Sequence, residues 1–432
     1  MKNSNDKRRM ITAAAVIASL VTALSGCAAS TPSGENQSVT VWDYYGQSTP
    51  LKEALKKFSA LHPDVKVNYQ AFDYETMQDK FSVAVSSGNA PDLATIDMTW
   101  VPGYAANGVL SDLAPLSGGK LNGEDFASQY NAGANQAMTF EGKTVAAMYD
   151  FDAYALYYRK DILDQKGIPV PTTWDEMVDA SQAMAEDTNN DGKPDKYALQ
   201  LLPDTFHFDQ LLLQNGGSIL SEDNTKAAFN STAGIGAMNY QTRLLKSGGA
   251  IYWGNSEGDS SGLAGIKDER IGMFLNGPYM MGILKDGAAS QSGKWAVAPS
   301  PISKTQGSYL GGTGLAIPAN AKNKSGAWEL AQFLLLPEQQ QLVYTAAGAA
   351  PATLAGLAQP ALREPDPYFG GQVPFTIFQD AMKTATSFPY VANWSSIDST
   401  LTDASTAVLL GTSSSEKALS DAAKTVDAAL SH

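Results

Sequence analysis

The 432-residue chain is short of several things that functional centres commonly need. It has one cysteine, Cys27, so no internal disulfide can form, and thiolate zinc sites that need several Cys are excluded. Three histidines leave little material for a His-based catalytic or metal centre. Positive charge is scarce: 30 Lys plus Arg face 44 Asp plus Glu, for a net charge of −14. That sign is wrong for neutralising phosphates, so no nucleic-acid partner is expected. Long apolar runs are also lacking. The longest, from Met10 to Leu24, falls short of the ~20 residues that a membrane span requires. What remains is ordinary globular composition, 44% hydrophobic and 17% charged, in a chain long enough for two or three domain-sized units.

The N-terminus explains the lone cysteine. Lys2, Lys7, Arg8 and Arg9 outweigh Asp6, the short apolar run follows, and Leu24-Ser25-Gly26-Cys27 closes it. A basic head with a short apolar core is the pattern of a secretory signal, here residues 1–26. The closing tetrapeptide resembles the bacterial lipobox. That resemblance implies lipidation of Cys27 and an exported protein anchored at the outer face of the bacterial cell membrane. Residues 28–38 are small and polar and read, with Cys27, as a flexible tether at 27–38.

Beyond the tether, strands and helices alternate. Val39–Trp42 is a β-rich run. Thr49 suits an N-cap and Pro50 the first helical position, and Leu51, Ala54, Leu55, Phe58 and Leu61 share one helical face. Val65–Tyr69 reads as a strand, 75–86 as a helix and Leu93–Ile96 as a strand. The pattern returns with a helix over Trp174–Glu186 capped by Thr173, strands at Leu199–Leu202, Ile271–Leu275 and Gly314–Ile317, and helices at Trp328–Leu335 and Glu416–Leu430. Such alternation predicts α/β layers on a mostly parallel sheet.

Several segments stand in a telling order: Ala90-Pro91-Asp92-Leu93, the run from Tyr149 to Asp161, Pro171-Thr172-Thr173-Trp174-Asp175-Glu176 and Gln214-Asn215-Gly216-Gly217. Ile271–Phe274 leading to Asn276-Gly277-Pro278-Tyr279, then Gly311–Pro318 and Pro389–Trp394, complete the series. In this order they resemble the extracellular solute-binding lipoproteins of ABC importers, nearest the carbohydrate-binding, maltodextrin-binding-protein-like group. The resemblance implies an α/β, two-lobed periplasmic-binding-protein type II fold with discontinuous lobes and a ligand cleft at the hinge. It places an N-terminal lobe at 39–148 with 314–355 and a C-terminal lobe at 153–308 with 375–432. Hinge crossings are expected near 148–153, 309–314 and 355–375. It also implies a monomeric receptor that takes an oligosaccharide and delivers it to ABC permease subunits.

A sugar cleft needs aromatic rings for C–H faces and carboxylates or amides for hydroxyls, on loops at strand ends. Trp42 and Tyr44 follow the first strand, and Asp97 follows another; core packing or a solvated loop are the plain alternatives. By resemblance Asp152 contacts hydroxyls, with Asp150 weaker. Phe206 and His207 occupy a loop where relatives often place an aromatic, and Tyr279 stands where relatives often carry Trp. Trp253, in a glycine-rich stretch, and Trp394 are further stacking candidates. Gly311 and Gly312 would let backbone approach the ligand.

Asp187, Asn189, Asp191, Lys193 (through its carbonyl) and Asp195, with Gly192, resemble the start of a calcium loop. Position 12 is Ala198, not Glu, so an Asx-rich turn competes with a structural calcium as the reading. Enzyme signals are weak. Gly254–Gly258 has the G-x-S-x-G spacing, but no strand precedes it and His432 is the one histidine after it. A surface glycoside-active enzyme remains an alternative, with Asp150 and Asp152 as its carboxylates, although that pair is expected to face opposite sides of its strand. A receptor for a non-sugar solute is the other alternative.

Overall fold

The computed structural model describes residues 38–44, 49–253, 262–389 and 391–431. Cys27, the signal segment, most of the tether, Tyr45 and the Gly254–Gly258 motif lie outside the described residues.

Strand β1 (Ser38–Asp43) leads through helix α1 (Thr49–Leu61) to β2 (Lys66–Ala71), then through α2 (Tyr74–Ser87) to β3 (Leu93–Asp97). Local chemistry sets these bounds. The Asp73 carboxylate caps α2 by accepting from the Thr76 N–H at 2.8 Å, and Gly88 ends the helix at φ 76°. Strand β4 (Ala147–Asp152) is followed after two residues by β5 (Ala155–Arg159). Next come α3 (Trp174–Met184), α4 (Thr205–Gln214), β6 (Met273–Asn276), β7 (Trp295–Ala298) and β8 (Ser308–Ala316). The chain closes with α5 (Lys324–Leu334), β9 (Ala350–Pro351), β10 (Ala385–Ser387), α6 (Trp394–Leu409) and α7 (Ser415–Leu430). Thr173 caps α3 in a full capping box with Glu176. Among the described residues no helix is long and apolar enough to cross a membrane.

The main sheet runs β9-β4-β8-β3-β1-β2, with β10 alongside β8; a second sheet runs β6-β5-β7. The expectation of a mostly parallel sheet needs correction. Pairs β1–β2, β1–β3 and β8–β10 are parallel, but β8 runs antiparallel to β3 and β4, and the second sheet is wholly antiparallel. The physical reason is connectivity: β8 returns from the other half of the molecule and enters the sheet from the far end. It is also longer than the Gly314–Ile317 expectation, nine fully buried residues whose run includes Gly311, Gly312 and Gly314. Glycine is a poor strand former, so the pattern hid the first half.

Buried apolar residues form separate cores. One joins Val39 through Phe151 to Leu310 through Phe375, around α1, α5 and the main sheet. A second joins Tyr154 through Ala298 with Tyr309 and Phe388 through Val426. A third, around Tyr157, Phe274, Trp295 and Phe378, backs the small sheet. Phe151 and Tyr154 belong to different cores, as do Tyr309 and Leu310. Each core is therefore built from stretches far apart in sequence, and the chain passes between them beside Asp152 and Gly311.

Candidate functional site

The ends of β1, β3, β4 and β8 meet where the chain passes between cores. Asp43, at the end of β1, is buried and accepts from the Tyr69 hydroxyl at 2.7 Å and the Thr95 hydroxyl at 2.9 Å. Burial pushes its carboxyl up to about 6 despite those donors. One residue on, Tyr44 places its hydroxyl 2.6 Å from Thr313 Oγ1 of β8. Its ring lies 5.5 Å from Tyr74 and 5.7 Å from Trp100, and those two are 4.7 Å apart, so three rings form one cluster. Asp97, closing β3, accepts from the Thr99 N–H at 2.8 Å and the Thr99 hydroxyl at 2.6 Å. Burial lifts it to about 6; Thr99 and the adjacent Tyr74 hydroxyl pull the other way, and the charge of Asp398 pushes it up.

Strand β4 carries two carboxylates. Asp150 is 2% exposed and accepts from the Thr313 N–H at 2.9 Å, tying β4 to β8. Burial pushes it up to about 7, with the Asp43 charge adding. Asp152, two residues on, is raised well above the carboxylate range by burial and by the charges of Asp150 and Asp97. The expectation that the two face opposite sides was misplaced, because residues two apart along a strand share a face. They still do not flank a common bond: Asp150 is turned into the fold and spent on Thr313. Asp152 reaches across instead, its Oδ1 so near Gly277 that a Cβ there would come within 2.8 Å.

The opposite wall comes from the second and third cores. Tyr154 packs edge-on against Tyr309 at 4.7 Å, and Tyr279 lies beside Tyr154, Asn276 and the Asp152 charge. Asp204 caps α4 through the His207 N–H at 2.9 Å and also faces His207 Nδ1 at 2.9 Å. His207 Nε2 lies 3.1 Å from the Leu275 carbonyl. Both ring nitrogens thus face acceptors, and the imidazolium alone can donate to both. Accordingly the His207 value is raised, the Asp204 charge and its hydrogen bond outweighing burial, and Asp204 is lowered. Asp398, one turn into α6, is raised by burial and by the Asp204 charge; its carbonyl accepts from the Thr205 hydroxyl at 3.2 Å.

The structure brings Tyr44, Asp97, Asp152 and Tyr279 together around this junction. Phe206 stands at its edge, 5.8 Å from Tyr309 and 5.4 Å from Phe388. Other candidates sit elsewhere. Trp42 lies one pleat back, edge-on to Phe72 at 5.1 Å, with Gln70, Lys80 and Val83 on the α2 side of the sheet. Trp253 is held by the Arg270 guanidinium 4.4 Å from its ring and by Tyr197 and Gly265. Trp394 is 3% exposed and edge-on to Phe388 at 4.9 Å, so packing uses its faces. Gly312 has φ 145°, and a Cβ there would overlap the Asp150 carbonyl and approach Phe151 Cα to 2.8 Å. The close approach it permits is to β4, not to a ligand. A Cβ at Gly311 would meet the Tyr309 ring at 2.7 Å.

In the loop 187–195 the carboxylates accept from backbone. Asp187 takes the Asp191 and Gly192 N–H groups at 3.1 and 2.8 Å, Asp191 takes Lys193 at 2.9 Å, and Asp195 takes Thr188 and Asn189 at 3.1 Å each. Asn189 accepts from Asp191 at 2.8 Å. This is the Asx-turn geometry, and among the described residues no group of three or more His, Cys, Asp or Glu is placed to hold a metal ion.

Sequence reasoning missed Tyr74, Trp100, Tyr154, Tyr309, Asp204 and Asp398. Tyr74 and Trp100 carried a usable signal, since each lies just past a strand's carboxyl end. Asp398 had none: it is an interior helix residue until α6 docks.

The profile described as Bacterial extracellular solute-binding protein matches residues 45–341, well over half the chain. The chain is 24% identical to the Lactose-binding protein of Rhizobium radiobacter, over 96% of this chain and 97% of that one. It is 26% identical to the Diacetylchitobiose binding protein DasA of Streptomyces coelicolor, over 76% and 78%. Among solved structures, an ABC transporter solute-binding protein from Thermotoga lettingae TMO, bound with alpha-D-tagatose, superposes with a TM-score of 0.80 at 25% identity, covering 91% of this chain and 99% of that one. With two discontinuous lobes, a junction lined from both sides and this profile match, the chain belongs to the bacterial extracellular solute-binding protein family.

Proposed function

We propose that this protein is a receptor that binds an oligosaccharide between its lobes and delivers it to the permease of an ABC importer. The observation that carries the proposal is the junction itself, where the Tyr44–Tyr74–Trp100 cluster on the first core, Tyr154 and Tyr309 of the second and Tyr279 on the third gather around Asp97 and Asp152. Rings suit the C–H faces of a sugar and carboxylates its hydroxyls. Relatives named for lactose and for diacetylchitobiose support that solute class. Contacts from both lobes would favour a closed state and shift a hinge equilibrium at 148–153, 309–314 and 355–375. Calorimetry and thermal shift with mono- to tetrasaccharides test this. A receptor gains melting temperature with at least one sugar and releases no product from it. A flat response to the whole panel overturns the proposal.

Three finer readings go with it. Cys27 is the lipid anchor, the protein works as a monomer at the outer membrane face, and the 187–195 loop binds a structural calcium. Loss of membrane fractionation in Cys27→Ala supports the first. Sedimentation reads the second. A melting temperature that ignores both EDTA and added calcium refutes the third.

A further inference from the structure

A cavity of about 60 Å³ lies between the second and third cores, behind the opposite wall of the junction. It exists because two strands part. The Ala198 carbonyl accepts from the Met273 N–H at 2.7 Å, but beyond that point Leu199–Gln200 pairs with Ala250–Ile251 while β6 pairs with β5. The deep end is apolar, walled by the buried side chains of Met177, Leu244 and Ile271. Leu202, His207 and Leu275 line the other end and are partly exposed, so the cavity opens there. That end adjoins the junction. The His207 ring lies 5.2 Å from Tyr154. Asn276, also on the wall, precedes Gly277, where a Cβ would come within 2.8 Å of Asp152 Oδ1 and 3.0 Å of the Tyr279 ring.

Two amides stand on this apolar wall. Gln241 is 4% exposed, and Gln200 holds its Oε1 beside Gly262, where a Cβ would lie 3.3 Å from it. Neither side chain has a hydrogen-bond partner among the described residues. A buried amide left unpaired is costly, so a polar group is expected to meet them. Water alone fits poorly. At about 15 Å³ per water the cavity admits about four, each wanting two to four polar partners, and Met177, Leu244 and Ile271 supply none. Room for about four waters is also too little for a sugar ring. A small group with one amide and an apolar end matches the wall better. Its N–H and carbonyl suit the two glutamines, and its alkyl end suits the deep wall.

Resting on the receptor reading above, we propose that this cavity is a subsite for a short acylamide substituent of the bound saccharide, acetamido being the simplest. The saccharide ring stays in the junction, beside Tyr154 and Tyr279. Its acylamide arm passes His207 and Leu275, hydrogen-bonds Gln200 and Gln241, and ends against Met177 and Leu244.

The test is calorimetry on the purified protein with three probes of equal length and linkage: N-acetylglucosamine oligomers, their deacetylated counterparts and glucose oligomers. The acetylated oligomer is expected to bind about tenfold tighter or more than either of the others, the scale of one net hydrogen bond plus a buried methyl. Leu244→Phe fills the deep end and should bring the acetylated and glucose oligomers within about twofold of each other, since that buried contact is then closed to the methyl. Gln241→Leu should shrink the preference by about threefold to tenfold, the loss of one net hydrogen bond. Its melting temperature should not fall, because it removes an amide that the free protein leaves unpaired. Glucose oligomers binding as tightly as acetylated ones overturn the subsite and leave the receptor reading standing. So does a preference that survives both substitutions. If none of the three binds while another sugar of the wider panel does, the subsite alone falls. A flat response to the whole panel overturns both.

Discussion

Gly312 offers a sharp test of how the two halves are joined. Its φ of 145° disfavours any side chain, and a Cβ would overlap the Asp150 carbonyl and press on Phe151 Cα. Both obstacles are backbone of β4, which cannot swing aside as a side chain can. Gly216 is the matched control: its φ is 79°, but nothing lies within 4 Å of a Cβ built there. Alanine at either position incurs conformational strain of about 1–2 kcal/mol. Alanine at Gly312 must also separate β8 from β4, losing ladder hydrogen bonds and the Asp150–Thr313 tie, for a total of about 3–5 kcal/mol. With an unfolding entropy of roughly 2 cal/mol/K per residue, each kcal/mol moves the melting temperature of a chain this long by about 1 °C. Calorimetric melting should therefore fall by about 1–2 °C in Gly216→Ala and about 3–5 °C in Gly312→Ala. Ligand affinity should drop in the second variant alone, because Asp152 and Thr313 flank the displaced strand. Equal losses in the two variants would refute the argument that close approach, rather than φ, makes position 312 a glycine.

Other perturbations separate packing from binding. Trp394→Ala removes a ring that is 3% exposed, and should destabilise by about 3–5 kcal/mol in denaturant unfolding, the range for a buried aromatic. Tyr279→Ala should instead weaken ligand binding by about 1–3 kcal/mol in calorimetry while folding survives. The 3%-exposed Asp209 of α4 is pushed up to about 8 by burial. Its folded value lies above its unfolded value, so the fold holds the proton that the unfolded chain releases. This group's contribution is intact below about pH 4, falls as pH rises from about 4 to 8, and is flat above that. Asp209→Asn should match the parent at about pH 4 and exceed it at pH 8 by on the order of 5 kcal/mol, about 1.4 kcal/mol for each of the roughly four pH units between the two values, read from urea midpoints across pH. A parallel pH dependence in both proteins would remove Asp209 as the cause.

Much of the architecture was legible from local pattern. Of the expected apolar face of α1, Leu51, Ala54, Leu55 and Phe58 are buried, whereas Leu61 in its last turn is 69% exposed, and the Thr173–Glu176 box caps α3 as expected. Asp97 and Tyr44 were expected at strand ends, and the structure places both at the junction between the cores. The sheet's mixed direction was not legible, since a strand's pattern says which face is buried but not which end enters first. Nor was the fate of the tryptophans. Trp42, Trp253 and Trp394 all carry the composition of a stacking platform, yet each ring is held by a neighbour distant in sequence or in the adjoining loop: Phe72, Arg270 and Phe388.

By itself, then, the amino-acid order determined the export-type leader pattern, the alternation of strands and helices, the acidic balance and the ordered segments that mark the family. These are properties of neighbouring residues, and neighbours are what periodicity and capping read. Tertiary structure alone decided which charges meet. Asp97, Asp152 and Asp398 are separated by long stretches of chain, and the charge of one reaches the next because β4 leaves one core, β8 returns to it, and α6 packs on α4. Burial then sets their protonation, and neither burial nor proximity exists until both cores have formed.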